Sequence, residues 1–282
     1  MLKVYKIKIM EIFDLLVKAI QYDFIQKSLI CGIFISAAAS LLGNFLVLRK
    51  QSLICDGLSH VSFATVSISL FLGLSPLLAS IPLVIIASII INKLSEKANI
   101  YSDAAIGLVS AFSIAIGVIF VSVSKGFNID IYSYLFGSIL AISQLEVILS
   151  VIVSITAIVL IIIFFNDLFL VTYDEDYAQI SKINIKLINI ILGIIQSITI
   201  VVGVKIVGAM LMSSLIIFPA ISSLQIAGSF KKMIFYSLII SILSLVLGIF
   251  ISFIVNFPTG ATIVIINGFI FALLFLSKKI RP

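Results

Sequence analysis

The stretch LVLRKQSLICDGLSHVSFATVS, residues 46–67, holds the only histidine of the chain, His60, four residues after Asp56. On a helix, residues so spaced stand one turn apart on one face, with β-carbons about 5–6 Å apart. A carboxylate oxygen and an imidazole nitrogen can then turn toward one point. These groups suit a divalent transition metal such as Zn²⁺, Mn²⁺ or Fe²⁺. One Asp and one His make an incomplete ligand set, whereas two copies related by a two-fold axis supply two oxygens and two nitrogens, enough for four-coordination. A site of that modest strength suits an ion that must leave again. Alone, the same two residues also fit a structural role, with Asp56 capping a helix start and His60 a satisfied core histidine.

The elements that must position this pair are membrane helices. Hydrophobic residues make up 62% of the 282 residues and charged ones 11%, with a mean hydropathy of +1.36. A soluble domain carries about 45–50% and about 25%. A bilayer core about 30 Å thick takes about 20 apolar residues per helix, and such runs recur along the whole chain. The fold class is therefore all-α, a polytopic membrane protein in a single transmembrane domain, residues 1–282. The net charge of +6 and pI near 9.3 reflect Lys and Arg placed in short gaps between apolar runs. This pattern sets insertion direction and does not form the continuous basic face that nucleic acid requires. Cys31 and Cys55 have no metal-knuckle or redox-pair spacing and read as small buried residues.

Runs bounded by charge, Pro or Gly predict nine spans, at residues 26–48, 55–74, 76–94, 103–124, 143–166, 184–204, 206–226, 233–255 and 260–278. Eight is the alternative, because Lys205 lies between two runs with almost no loop and can belong to one kinked region. Residues 1–22 lack a cleavable signal and read as an amphipathic helix lying in the membrane interface. The apolar part of KGFNIDIYSYLFGSILAIS, residues 132–142, is too short to cross and predicts a re-entrant half-helix whose end groups neighbouring helices or water must satisfy. Gly32, Ser36, Ser40 and Asn44 recur every four residues, as do Ser59, Phe63, Ser67 and Phe71. Small residues so spaced let helices approach closely in lipid. Asp103 is expected to cap its helix, and Glu146 to cap or pair near the fifth span.

The longest polar stretch, residues 171–186, opens with Asp174, Glu175 and Asp176 ahead of a helical DYAQISKI. Acids at a helix start and lysines at its end complement the helix dipole, and a short exposed helix of this kind is a docking surface for a soluble partner. If it is cytoplasmic, nine spans bring Arg49, Lys50, Lys93, Lys97, Lys182, Lys186, Lys231, Lys232, Lys278, Lys279 and Arg281 to that side, with the C-terminus inside. Lys125, Lys205 and the lysine-bearing N-terminal helix then fall outside. No Gly-rich phosphate loop occurs, so any ATPase driving transport is another chain.

With those residues in view, the sequence resembles the permease subunits of bacterial metal-ion ABC importers, which carry zinc, manganese or iron. The likeness runs from about residue 24 through FLVLRKQSLICDGLSH, SDAAIGLVSAFSIAIGV, IYSYLFGSILAIS and VGAMLMSSLIIFPAISSL, in that order. It implies a type II importer fold in the bacterial cytoplasmic membrane. Its assembly would be a homodimer with two cytoplasmic ATP-binding subunits and an extracellular lipid-anchored or periplasmic metal-binding protein. It further implies that Asp56 and His60 bind the ion in transit, with no permanently held cofactor and no covalent chemistry in this chain. The ATPase would dock on TYDEDYAQISKI, placing Asp174, Glu175, Asp176, Tyr177, Ala178 and Ile180 in the coupling segment. YLFGSILAIS would be a short helix near the outer mouth. One departure stands out: Lys182 occupies the place where the family often has Gly before the closing Ile. An ion-coupled secondary transporter is the competing reading, though it predicts inverted repeats and more intramembrane acids. An intramembrane metalloenzyme needs a fuller ligand set than one histidine allows.

Overall fold

The computed structural model describes residues 18–97, 101–123 and 142–280. In lipid every backbone N–H and C=O must be satisfied within its own segment, so each long apolar run closes into a helix. In chain order the helices are α1 (Asp23–Leu48), α2 (Ile54–Phe71), α3 (Pro76–Lys97), α4 (Ser102–Val123), α5 (Gln144–Ile163), α6 (Phe165–Tyr173), α7 (Glu175–Ile180), α8 (Ile185–Val207), α9 (Ala209–Ile226), α10 (Phe230–Val255) and α11 (Thr259–Ile280). All but α6 and α7 are long and apolar enough to cross a membrane, nine among the described residues.

Nine and not eight follows from Gly208. Its φ of 89° lies in the region where only glycine is comfortable, and the α8 ladder stops there. The chain then turns back, so that Met212 of α9 lies against Gly203 of α8. Lys205 is therefore not the boundary. It belongs to the last turn of α8 and pairs with Glu146 at the start of α5, Nζ to Oε1 3.0 Å. Glu146 also closes a capping box with Ser143, so it both caps and pairs. Asp103 stands in the first turn of α4, one residue inside the helix. The N-terminal amphipathic helix falls largely outside the described residues, which begin at Lys18, and so does the re-entrant segment at 132–141.

The central helix is α1, buried from Ile35 to Leu46 and packed on α5, α9 and α10. Its small-residue stripe meets α10 in antiparallel order: Gly32 abuts Leu245, the Ser241 hydroxyl donates to the Ser36 carbonyl at 3.1 Å, and the Asn44 amide donates to the Ser237 hydroxyl at 2.7 Å. The α2 stripe meets α4 in parallel order, with Phe63 on Gly117 and Phe71 edge-on to Phe120. Gln196 of α8 donates to Ser88 of α3 at 2.7 Å, and Asn267 of α11 to Ser214 of α9 at 3.1 Å. Each such bond contributes only about 0.6 kcal/mol in a membrane, so their main effect is to fix helix register. Apolar rows on α4 and α5, including Leu108, Phe112, Ile148 and Ile152, face outward and suit lipid.

A cluster of aromatic rings seats the polar segment on this frame. Phe45 of α1 meets Phe165 of α6 edge-on at 6.3 Å and Phe230 of α10 at 5.4 Å, and Phe169 of α6 lies 4.9 Å from Phe230. The short helix α6 thus rests on the end of α1 that leads into α2, and α7 packs on α6 and α8.

Candidate functional site

The start of α2 is made by a tight reversal. Arg49 ends α1, and Lys50, at φ 56°, donates to Val47 at 3.0 Å while Gln51 donates to Leu46 at 2.9 Å. This paired 5→2 and 6→1 pattern stops a helix by taking up its last carbonyls. Ile54 then donates to Gln51 at 3.1 Å and α2 begins.

Asp56 falls in the first turn of α2 but caps nothing: the N-cap position is Leu53, and no side-chain bond closes it. The Asp56 carboxylate instead accepts a hydrogen bond from the Ser213 hydroxyl of α9, a contact spanning 157 positions of sequence. Asp56 is exposed and His60 half-buried in the single chain, although Cys55, Gly57, Leu58 and Ser59 around them are buried. The two groups therefore share the one face of this turn that the chain's own helices leave uncovered. Among the described residues no hydrogen bond or ion pair engages the imidazole, which removes the reading of His60 as a satisfied core histidine. The carboxylate is anchored from one side, and the ring nitrogens are open.

Chemically, one carboxylate and one imidazole are two donors of the kind a divalent transition metal takes. No group of three or more His, Cys, Asp and Glu side chains converges among the described residues. Cys55 is fully buried between Ser59 and Ser213. Ser213 is the residue that sequence reading missed. It lies in SSLIIFPAISSL among many packing serines, and nothing local sets it apart.

The polar stretch after α6 forms a separate surface. Asp174 is the N-cap of α7, its Oδ1 accepting from the Tyr177 amide at 2.9 Å, and Glu175 and Asp176 fill the first turn. Tyr173 and Ile180 are each 78% exposed and Tyr177 is 55% exposed, so two rings and one aliphatic chain stand in solvent beside three acids. Ala178, grouped with the docking residues from sequence, is instead fully buried and holds the helix to the body of the protein.

Lys182, the departure noted above, has φ 60°. It donates to Gln179 at 3.0 Å, and Ile183 donates to Ala178 at 3.1 Å, the same helix stop seen after α1. A non-glycine residue in this conformation costs about 1 kcal/mol. Lys182→Gly is therefore expected to slow hydrogen exchange at the Ile183 amide about fivefold, the equivalent of that energy. Unaltered exchange would show that Lys182 carries no strain.

Between these two surfaces lies Arg49. Its Nε donates to the Thr172 hydroxyl of α6 at 2.9 Å, and its Nη1 to the Asn189 carbonyl oxygen of α8 at 2.7 Å. Burial pulls the guanidinium down to about 10, with the charge of Glu175 pulling the other way, so it stays a cation at neutral pH.

Comparison with known proteins fits this geometry. The ABC 3 transport family matches residues 21–278. The manganese import system permease protein ScaB of Streptococcus gordonii is 34% identical over 92% of this chain and 94% of its own. The high-affinity zinc uptake system membrane protein ZnuB of Haemophilus influenzae is 30% identical over 92% and 99%. Among solved structures, PsaBC from Streptococcus pneumoniae in complex with Fab superposes with a TM-score of 0.82 at 31% identity, covering 95% of each chain. A metal-chelate type ABC transporter in an inward-facing conformation shares the fold alone, with a TM-score of 0.70 at 13% identity.

Proposed function

The chain belongs to the ABC 3 transport family, a multi-pass cell-membrane protein, and on that premise we propose that it is the permease of an ATP-driven importer for a divalent transition-metal ion, Mn²⁺ or Zn²⁺, with Fe²⁺ in the same ligand class. Two copies meet across a two-fold axis and bring their Asp56 and His60 pairs together around the ion. Two cytoplasmic ATP-binding subunits seat on α7 through Tyr173, Tyr177, Ile180 and the acids Asp174, Glu175 and Asp176. A metal-binding protein delivers the ion from outside. The observation that carries this reading is the uncovered turn of α2, where a carboxylate steadied by Ser213 and an unengaged imidazole stand side by side.

The test is uptake into vesicles holding this chain with its ATPase partner, with the metal-binding protein supplied on the outer side. ⁵⁴Mn²⁺ is expected to accumulate only when ATP is supplied, and the double variant Tyr177→Ala, Ile180→Ala is expected to cut accumulation at least about tenfold by weakening ATPase docking. Equal uptake in vesicles without the ATPase would overturn the reading in favour of an ion-coupled secondary transporter.

A further inference from the structure

Arg49 occupies the junction between the two surfaces. Six residues separate it from Asp56, and the intervening link is short and hydrogen-bonded, from the helix stop at Lys50 to the first turn of α2. Its side chain reaches the other way. Thr172 lies just before Asp174, the cap of α7, and Asn189 lies just after the segment that follows α7. One planar fork therefore grips both flanks of the docking helix, while its own backbone leads into the Asp56–His60 turn.

The character of the grip matters as much as its place. Both hydrogen-bond partners are neutral oxygens, Nη2 is buried with no hydrogen-bond partner, and the Glu175 charge acts on the guanidinium without closing an ion pair among the described residues. A permanent staple would set a carboxylate against a buried cation, because an unpaired buried charge is costly. A cation held by two neutral oxygens with one nitrogen bare is a joint with little to lose on rearrangement. Lysine cannot reproduce it, since an ammonium is a point charge without the rigid fork that spans two acceptors.

We propose that Arg49 is the positioning residue that transmits displacement of α7 to the Asp56–His60 turn. This rests on the transport reading above and adds to it the connection between docking and the ion site. Arg49 itself touches no ion.

Two measurements on the full chain test it. In the purified permease, Arg49→Lys is expected to speed hydrogen exchange about tenfold both at residues 50–56 and at residues 172–189, leaving α10 unchanged. In the reconstituted complex with its ATPase, the same variant is expected to lower Mn²⁺ uptake per ATP hydrolysed about tenfold, with Mn²⁺ affinity unmoved. Asn189→Asp, which gives the fork a charged partner, is expected to raise thermal stability yet also lower uptake per ATP, since the joint is locked. Unchanged exchange at residues 50–56 would overturn the proposal, as would uptake and hydrolysis falling in constant ratio. Failure of the wild-type complex to drive uptake with ATP would instead strike the transport reading, and the exchange result would still decide whether Arg49 links the two segments.

Discussion

Replacing His60 with Ala is expected to abolish metal uptake while leaving the permease folded and assembled. The first half follows from ligand arithmetic. Each chain offers one imidazole and one carboxylate at the uncovered turn, and no richer cluster exists among the described residues. Removing the imidazole from both copies leaves two carboxylates, which halves the protein's donor set for any of these ions and takes away the nitrogen donors that suit Zn²⁺. Losing a residue that merely supports a ligand costs 10–100-fold in metal affinity, so losing two ligands is expected to cost more than about 100-fold. The second half follows from the surroundings. The ring is half-buried and makes no hydrogen bond among the described residues, so its removal orphans no partner and opens no sealed cavity. Uptake, metal affinity by calorimetry and particle mass in detergent are the three readouts. Full transport by His60→Ala would remove the coordination claim; loss of the assembled particle would make His60 a structural residue.

How much of this was legible in the sequence depends on the range over which each feature is encoded. Apolar run length fixes a membrane helix locally, and all nine expected spans lie within a few residues of α1–α5 and α8–α11. The boundary placed at Lys205 moved three residues, to Gly208, because a charge at a helix end marks the interface while the turn itself needs a backbone that tolerates positive φ. The Asp56–His60 pair was visible because its geometry is set by one helical turn. Ser213 was not, since its partner lies 157 positions away and serine in a membrane helix most often serves packing. Ala178 illustrates a different limit. Six residues of α7 are too few to show a period, so the sequence could not tell the buried side from the exposed side. The unusual position of Lys182 was noticed from the resemblance, and its φ of 60° supplies the physical reason why glycine suits that place.

Gly43→Ala is expected to be the most damaging small substitution in the bundle, and its damage should reach the Asp56–His60 turn. A β-carbon at Gly43 would overlap the carbonyl oxygen of Ile216, so α1 and α9 touch backbone to backbone there. A flexible side chain could swing aside, but a helix backbone cannot. Nor can α1 retreat, because Asn44, the next residue, is fully buried and bonded to Ser237 on the α10 side. Overpacking of this kind costs 1–3 kcal/mol in a core with mobile neighbours, and about 3 kcal/mol is the reasonable figure where both neighbours are fixed, a fall of several degrees in Tm. The displaced element carries Ser213 one turn before Ile216, so relief by shifting α9 would pull the hydroxyl from the Asp56 carboxylate. Gly107 of α4 supplies the control: nothing lies within 4 Å of its virtual β-carbon, and Ala there should be neutral or stabilising by up to about 1 kcal/mol through helix propensity. Thermal unfolding of the two variants in the same detergent, followed by Mn²⁺ affinity at a temperature where both are folded, separates the effects. Equal Tm values would show that α1 and α9 have room to part. A low Tm with unaltered Mn²⁺ affinity would show that Mn²⁺ binding does not depend on where α9 holds Ser213.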